Sequence, residues 1–309
     1  MATQLAVSSS AAVGGPSVAA QLEADGIVIL PDFLDPERLR SMQRGFAHRL
    51  ERLRWNDFDG YEKTERFRHM VQDVLTIDQG FVDAALHPVV KATLTDYIGP
   101  GFALVEAKGW LSLPTTEDFH GWHGDGWYDQ GTVAQLQREV KLAIYLTDVK
   151  SGAFTYVKGT HGKLHPRSYS DAEVGKLDPS LIVKALGNAG TAILFDTSGI
   201  HRQSTPILEP RHAVFYNYHD PSIPLRQEDV KYNRYHPLLL NAAFLGGTTD
   251  EDRRILGFGD KRQFVPAYQR GARHEGFQAT MLALLNAKLL AADFSGRVGA
   301  RLRRLVGKR

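Results

Sequence analysis

The chain has 309 residues, 43% of them hydrophobic, and a formal net charge of +2 at pH 7. This length allows one large core or two smaller ones, and the near-neutral charge does not favour nucleic acid as a partner. The sequence has no cysteine, which excludes disulfides, thiolate zinc sites and cysteine nucleophiles, so any metal must be held by histidine and carboxylate side chains.

The N-terminal part of the chain has a mainly helical pattern. Residues 1–17 are rich in Ala, Ser and Gly and predict a flexible tail. Asp35 is a good N-cap and Pro36 suits the first helical position, so a helix is predicted from there to residue 53. Its arginine-rich face is typical of a solvated surface, and the alternative is a docking face for a phosphate-bearing substrate or a carrier protein. Further helices are predicted over residues 66–75 and 81–98, the latter broken near His87 and Pro88.

Beyond residue 101 the pattern changes to short runs rich in β-branched and aromatic residues, separated by Gly, Pro, Asp and Ser. Strands are predicted over residues 102–113, 139–149, 153–158, 181–186, 191–195 and 211–219. Such a series without long intervening helices is typical of an antiparallel sandwich or barrel. The pattern becomes helical again at 237–244, 251–256 and 277–290, and residues 296–309 form a basic tail.

The stretch from Trp122 to Trp127 contains the pattern that indicates chemistry. On an extended strand His123 and Asp125 point to the same side, as two ligands of one metal should. Two histidines and one carboxylate are typical of non-haem Fe(II) oxygenases. His201 follows a predicted strand and turn, where a third ligand would point into a barrel mouth. A lone His-x-Asp pair also arises by chance, and an ordinary structural histidine is the alternative.

Ten residues after His201, Arg211 opens the next predicted strand. A buried guanidinium needs an anionic partner, and its fork matches a carboxylate with two parallel hydrogen bonds. His201 and Arg211 together therefore predict a metal next to a bound dicarboxylate.

These residues, in this order, resemble the Fe(II)/2-oxoglutarate-dependent dioxygenases, and among them the phytanoyl-CoA dioxygenase-like family. Residues 23–37 are similar to the family's first helix, strand and helix start, and residues 146–161 to its segment around a glycine turn. The sequence departs from the family there, with Lys158 in place of proline and Thr160 in place of serine. The resemblance covers residues 18–220.

The resemblance implies an α+β fold, with a double-stranded β-helix core (a jelly roll of the cupin type) flanked by helices. One domain is expected over residues 18–295, with its jelly-roll core over 102–220. The resemblance also implies Fe(II) held by His123, Asp125 and His201, with 2-oxoglutarate on the iron and its distal carboxylate on Arg211. Together with O2 these would hydroxylate an unactivated C–H bond and release succinate and CO2.

Asp125 bears on the type of reaction, because the related halogenases have a small residue in place of this carboxylate. Its presence favours hydroxylation, or another oxidation such as desaturation, over halogenation. The resemblance further predicts residues around the co-substrate, with an ordinary structural hydrogen bond as the alternative: Lys108, Tyr145, Thr155, Gln203 and Ser204. Residues predicted to shape the substrate mouth, with core packing as the alternative for the aromatic ones, are His120, Trp122, Trp127 and Tyr128.

The substrate class that the resemblance implies is a small organic molecule: an acyl thioester, an amino acid or a natural-product intermediate of secondary metabolism. It would be free or attached to coenzyme A or a carrier. No nucleic acid and no integral membrane association are expected, and a cytoplasmic location is. Two alternatives are a non-catalytic jelly-roll binding protein and a zinc hydrolase with the same ligands. A binding protein has no need of the full set of ligands, and the hydrolase gives Arg211 no role.

Overall fold

The computed structural model describes residues 17–51, 67–71, 74–118, 121–125, 138–163, 168–220 and 238–258, and the helical positions 284, 287, 291, 294 and 298. Among these residues, no helix combines the length and the apolar character needed to cross a membrane.

Side-chain caps mark the beginnings of the two N-terminal helices. Helix α1 (Val18–Asp25) follows Ser17, whose hydroxyl accepts a hydrogen bond from the N–H of Ala20. Helix α2 (Pro36–Leu50) follows Asp35, whose carboxylate accepts from two N–H groups of the first turn. The other described α-helices are α3 (Gln79–Ala85), α4 (Pro88–Tyr97), α5 (Asp171–Val174) and α6 (Asp250–Ile255).

Two antiparallel sheets form the centre of the fold. The larger sheet consists of β1 (Ile27–Leu30), β2 (Arg68–Val71), β3 (Ala103–Ser112), β5 (Glu139–Tyr145), β9 (Ala192–Asp196) and β11 (Arg211–His219), in the order β1-β9-β5-β11-β3-β2. The smaller sheet consists of β4 (Trp122–His123), β6 (Val149–Val157), β7 (Ser168–Tyr169), β8 (Ile182–Gly187) and β10 (His201–Gln203), in the order β7-β4-β10-β6-β8.

The larger sheet is buried on both faces. Successive side chains of a strand point to opposite sides, so each strand contributes side chains to both faces. One face packs on the helices through a cluster that includes Met42, Phe46, Phe81, Leu94, Leu142, Leu194 and Val214. The other face packs on the smaller sheet through a second cluster, which includes Ala143, Tyr145, Phe154, Tyr156, Ala185, Ile193 and Phe195. Full burial of one such large apolar side chain contributes about 1.5–3 kcal/mol. The predicted class, a jelly-roll type of core flanked by helices, is confirmed as two facing sheets rather than a closed barrel.

The helix predicted over residues 66–75 is wrong. Arg68–Val71 is an edge strand that pairs with β3, from Arg68 opposite Ser112 to Val71 opposite Gly109, and a 3-10 helix (Val74–Thr76) follows. Met70 and Val71 are buried there. The edge of β3 offers backbone hydrogen bonds that local propensity does not reveal, and this tertiary pairing decides the conformation.

Two further boundaries differ from the prediction. The strand predicted over 139–149 is divided by a turn at residues 146–148, so that β5 lies in the larger sheet and β6 in the smaller one. The helix predicted over 237–244 is wrong where the structure describes it, because residues 238–241 are not helical and a 3-10 helix (Ala242–Leu245) follows.

Candidate metal centre

Strand pairing brings the two predicted histidine ligands together. His123 on β4 lies directly opposite His201 on β10, and the centroids of their rings are 4.6 Å apart. Asp125 is fixed by a hydrogen bond of 2.8 Å from its N–H to the carbonyl of Thr197, in the turn that leads from β9 to His201. Residues far apart in the sequence thus become neighbours at one end of the two sheets.

The three side chains point their donor atoms at one another. Oδ1 of Asp125 lies 3.5 Å from Nε2 of His123 and 3.7 Å from Nε2 of His201. One ligand atom from each of the three residues lies within 4.8 Å of the other two. Two imidazole nitrogens and a carboxylate oxygen suit non-haem iron, and zinc as well.

The far nitrogen of each ring is held by a backbone carbonyl. Nδ1 of His123 is 2.9 Å from the carbonyl oxygen of Gly121, and Nδ1 of His201 is 2.8 Å from that of Gly199. A carbonyl only accepts, so Nδ1 carries the proton and Nε2 presents its lone pair to the centre. Metal-binding histidines commonly donate their other N–H in this way. Gly121 adopts φ +62°, a backbone conformation that glycine favours.

The charges around the centre set the protonation of its ligands. Burial alone would raise the pKa of Asp125, but Lys141 and the two histidines hold that pKa well below its ordinary value. Burial lowers the pKa of His201 despite the attraction of Asp125. Burial also acts to lower the pKa of His123, but the hydrogen bond and charge of Asp125 outweigh it and raise that pKa. An ionised carboxylate and a neutral His201 are the states that a metal requires.

Arg211 is a buried cation, 6% exposed, whose hydrogen-bond partners are uncharged. Its Nη1 donates to the carbonyl of Gly152 at 2.9 Å, and its Nη2 donates to Oε1 of Gln203 and to Oγ of Ser112. Nε is buried without a hydrogen-bond partner among the described residues. A buried charge without a counter-ion is unfavourable. This guanidinium is therefore a candidate for the predicted carboxylate contact, and that contact stays a prediction.

The remaining residues predicted around the co-substrate fall into two groups. Gln203 lies against Arg211 and also donates to the carbonyl of Gly152, and the ring centroid of Tyr145 is 6.0 Å from the Arg211 guanidinium carbon. Thr155 and Ser204 instead join their hydroxyls at 2.6 Å. Alternation along β6 points Thr155 away from Phe154, whose ring faces His201.

Lys108 lies on the face of β3 that points to the space between the sheets. Its Nζ donates to Oε1 of Glu106 at 2.8 Å. Burial lowers the pKa of Lys108, although the charge of Glu106 opposes this shift. Roles of Lys108, Tyr145, Thr155, Gln203 and Ser204 in binding a co-substrate stay predictions.

Comparison with known proteins identifies the family. A family profile described as phytanoyl-CoA dioxygenase (PhyH) matches residues 22–206, more than half of the chain. The chain belongs to the phytanoyl-CoA dioxygenase family. It is therefore a dioxygenase-type enzyme, and its cluster of two histidines and one aspartate lies within the matched residues. No match was found among the curated proteins.

Solved structures extend the likeness to three dimensions. EctD from S. alaskensis, crystallised with 2-oxoglutarate and 5-hydroxyectoine, is 19% identical with a TM-score of 0.52, covering 67% of this chain and 77% of that one. HygX from Streptomyces hygroscopicus, with nickel, 2-oxoglutarate and hygromycin B bound, is 20% identical with a TM-score of 0.46, covering 64% and 84%. The non-heme alpha ketoglutarate dependent epimerase SnoN from nogalamycin biosynthesis is 20% identical with a TM-score of 0.48, covering 65% and 80%. At this identity EctD shows a shared fold.

Among the residues predicted at the substrate mouth, only Trp122 is described by the structure. Its side chain is buried, with Val157, Val174 and Ile200 around it. His120, Trp127 and Tyr128 lie outside the described residues, and their contact with substrate stays a prediction.

Trp122 also belongs to a clamp that joins the two histidine-bearing strands. Its indole N–H donates to Asp171 at 2.9 Å, and Arg202 both contacts Asp171 at 2.6 Å and stacks 4.4 Å above the indole. Trp122 precedes His123 and Arg202 follows His201, so the clamp lies directly behind the centre.

Removing the acceptor of this clamp should loosen the smaller sheet. We expect Asp171→Ala to lower the free energy of unfolding by about 1–2 kcal/mol, because the buried indole N–H loses its partner. Asp250→Ala is the control, since Asp250 is an exposed carboxylate that lies 3.9 Å from Arg253 in an ordinary surface ion pair. Urea unfolding measures both variants, and equal losses would contradict a special role for Asp171.

Lys141 is the main residue that the sequence does not single out. It lies on β5 next to Phe195 of β9 and Asn217 of β11, and its ammonium contacts Oδ2 of Asp125. The sequence does contain an indication of an unusual role for Lys141, since Glu139 and Lys141 alternate with apolar residues in a strand that is otherwise core. Alternation indicates which face they share but not that this face meets the metal ligands.

Proposed function

We propose that this family member is an Fe(II)/2-oxoglutarate-dependent dioxygenase that hydroxylates an unactivated C–H bond of a small organic substrate. One atom of O2 would enter the substrate as hydroxyl, and the other would enter succinate as 2-oxoglutarate loses CO2. The observation that supports this most directly is the convergence of His123, Asp125 and His201 within 4.8 Å. Iron and 2-oxoglutarate, when bound, supply the activation of dioxygen.

The residues of this chain fit that pair of groups. His123, Asp125 and His201 would hold the iron, because their donor atoms are of the required kind and are already aligned by Gly121, Gly199 and Lys141. Arg211 would hold the distal carboxylate of 2-oxoglutarate, since its buried charge has uncharged acceptors and its Nε has no acceptor among the residues that the structure describes. Asp125 and Arg211 are each 6% exposed and His201 is 5% exposed, so solvent screens both attractions weakly.

The substrate is proposed at the level of class. An acyl thioester, an amino acid or a natural-product intermediate, free or attached to coenzyme A or a carrier, is consistent with a dioxygenase of this family. Hydroxylation rather than halogenation is supported by Asp125, which occupies the position that a halide ligand would need. The expected cytoplasmic location stays a prediction.

The proposal is tested by visible spectroscopy and by oxygen-isotope labelling. We expect anaerobic Fe(II) with 2-oxoglutarate to give a weak visible charge-transfer band. Under an atmosphere of 18O2, turnover should place one labelled oxygen atom in succinate, even when turnover is slow because no substrate is present. Omitting either iron or 2-oxoglutarate is the control. Absence of succinate together with hydrolysis of an ester or amide that persists without oxygen would instead favour the zinc hydrolase, and absence of any turnover together with a metal-free protein would favour the binding protein.

A further inference from the structure

The two oxygens of Asp125 have separate partners. Oδ1 faces Nε2 of His123 and Nε2 of His201, at 3.5 and 3.7 Å. Oδ2 accepts a hydrogen bond from the ammonium of Lys141. A carboxylate bound in this way offers a metal one oxygen.

Lys141 is held in place for this contact by the larger sheet. Its strand runs between β9 and β11, with Phe195 and Asn217 directly opposite it. Directly opposite residues share a face of the sheet, so the side chain is enclosed on both sides. The Lys141 side chain is 17% exposed and that of Asp125 is 8% exposed, which places the ion pair in an environment that screens charge poorly.

We propose that Lys141 is a positioning residue that restricts Asp125 to one coordinating oxygen and so reserves a metal position for the co-substrate. This inference rests on the proposed function. Iron with about six positions has three for the protein, two for the keto acid end of 2-oxoglutarate and one for oxygen. Carboxylates bind metals through one oxygen or through both. A second bond from Asp125 would take one of the positions that the reaction needs.

An ordinary structural ion pair is the competing explanation, and it predicts a different result. If Lys141 only supports the fold, its loss should weaken metal and co-substrate binding together. If it restricts Asp125, its loss should spare the metal, because a second carboxylate oxygen becomes available and a nearby positive charge disappears. Only the affinity for 2-oxoglutarate should then fall.

The experiment uses Co(II), which binds such sites and allows work in air. The full chain, Lys141→Met, Lys141→Arg and Lys91→Met are titrated with Co(II), and the loaded proteins are titrated with 2-oxoglutarate. Lys91 is the matched control, since it donates to Asp252 at 2.7 Å in a lysine–aspartate pair outside the centre. Unfolding of the metal-free proteins in urea checks that each variant folds.

We expect Lys141→Met to bind Co(II) at least as tightly as the native chain but to bind 2-oxoglutarate about tenfold or more weakly, in the range typical of residues behind a metal ligand. Lys141→Arg keeps a cation on Oδ2 and should retain most of the affinity for 2-oxoglutarate. Lys91→Met should match the native chain in both titrations. A crystal structure of Co(II)-loaded Lys141→Met should show both oxygens of Asp125 on the metal.

Three results would overturn the inference. They are a parallel loss of Co(II) and 2-oxoglutarate affinity, an unchanged affinity for 2-oxoglutarate, and weaker 2-oxoglutarate binding while Asp125 still uses one oxygen. The last would mean that Lys141 touches the co-substrate itself. Failure of the proposed function would give a different result, because the native chain loaded with Co(II) would then not bind 2-oxoglutarate at all.

Discussion

Asp125→Ala is expected to abolish succinate formation and also to destabilise the metal-free protein. The first effect follows from the loss of one of three ligands. The second follows because the ammonium of Lys141 loses this carboxylate inside the protein. Breaking a buried pair by removing one partner costs about 3–5 kcal/mol, and the partial exposure of Lys141 reduces the expected loss to about 2 kcal/mol.

The double variant separates the two effects. In Asp125→Ala with Lys141→Met, neither charge remains, so most of the lost stability should return while turnover stays absent. Urea unfolding in the presence of a chelator measures stability, and succinate formation with added Fe(II) measures activity. Lys91→Met, which opens the ion pair with Asp252, is expected to retain activity. A double variant as unstable as Asp125→Ala alone would show that the ion pair is not the cause.

Metal binding gives an independent measure of the same site. A ligand that binds only the folded protein raises its stability, by about 2.7 kcal/mol at a concentration one hundred times its dissociation constant. Co(II) should therefore raise the melting temperature of the native chain. His201→Ala should show little of this increase, because the ring opposite His123 is gone. An equal increase in His201→Ala would contradict the ligand assignment.

The sequence was informative where the determinants of structure are local. The spacing of His123 and Asp125 indicated two ligands of one metal, although β4 ends at His123 and Asp125 lies in a bend beyond the predicted strand geometry. The Asp35-Pro36 start of α2 follows from capping. The third ligand is different in kind. His201 is joined to His123 by the pairing of two very short strands, and no property of either strand alone reveals that register. Its prediction rested on its position after a predicted strand and turn, and on the resemblance to a family.

The errors have the same physical origin. Residues 66–75 were predicted to be helical, and the edge of β3 decided that Arg68–Val71 is a strand. Lys141 was overlooked because a lysine in a strand is usually solvated, and only the packing of β5 against β9 and β11 turns it towards Asp125. For Trp122, the position beside a metal ligand suggested substrate contact, whereas the structure encloses its indole between Val157 and Val174.

Arg211→Met is expected to weaken 2-oxoglutarate binding strongly while leaving the stability of the ligand-free protein nearly unchanged. The buried guanidinium meets only uncharged acceptors in the described part of the chain, so a methionine of similar length removes a costly charge along with its hydrogen bonds. The bound dicarboxylate, in contrast, would lose its counter-ion. Removing one partner of such a pair costs about 2–5 kcal/mol, or about 30-fold to several thousand-fold in affinity.

The measurement is the dissociation constant of 2-oxoglutarate for the Co(II)-loaded protein, together with the KM for 2-oxoglutarate in the iron form. Arg211→Lys tests geometry, because a lysine keeps the charge but not the two-pronged fork, and an intermediate loss is expected. Arg254→Met is the matched control, since Arg254 also donates to a backbone carbonyl, that of Phe102, at 3.0 Å. Co(II) affinity should stay constant across all three variants, because Arg211 acts on the far carboxylate and not on the metal. A fall in Co(II) affinity in Arg211→Met would mean that Arg211 supports the fold of the centre rather than the co-substrate.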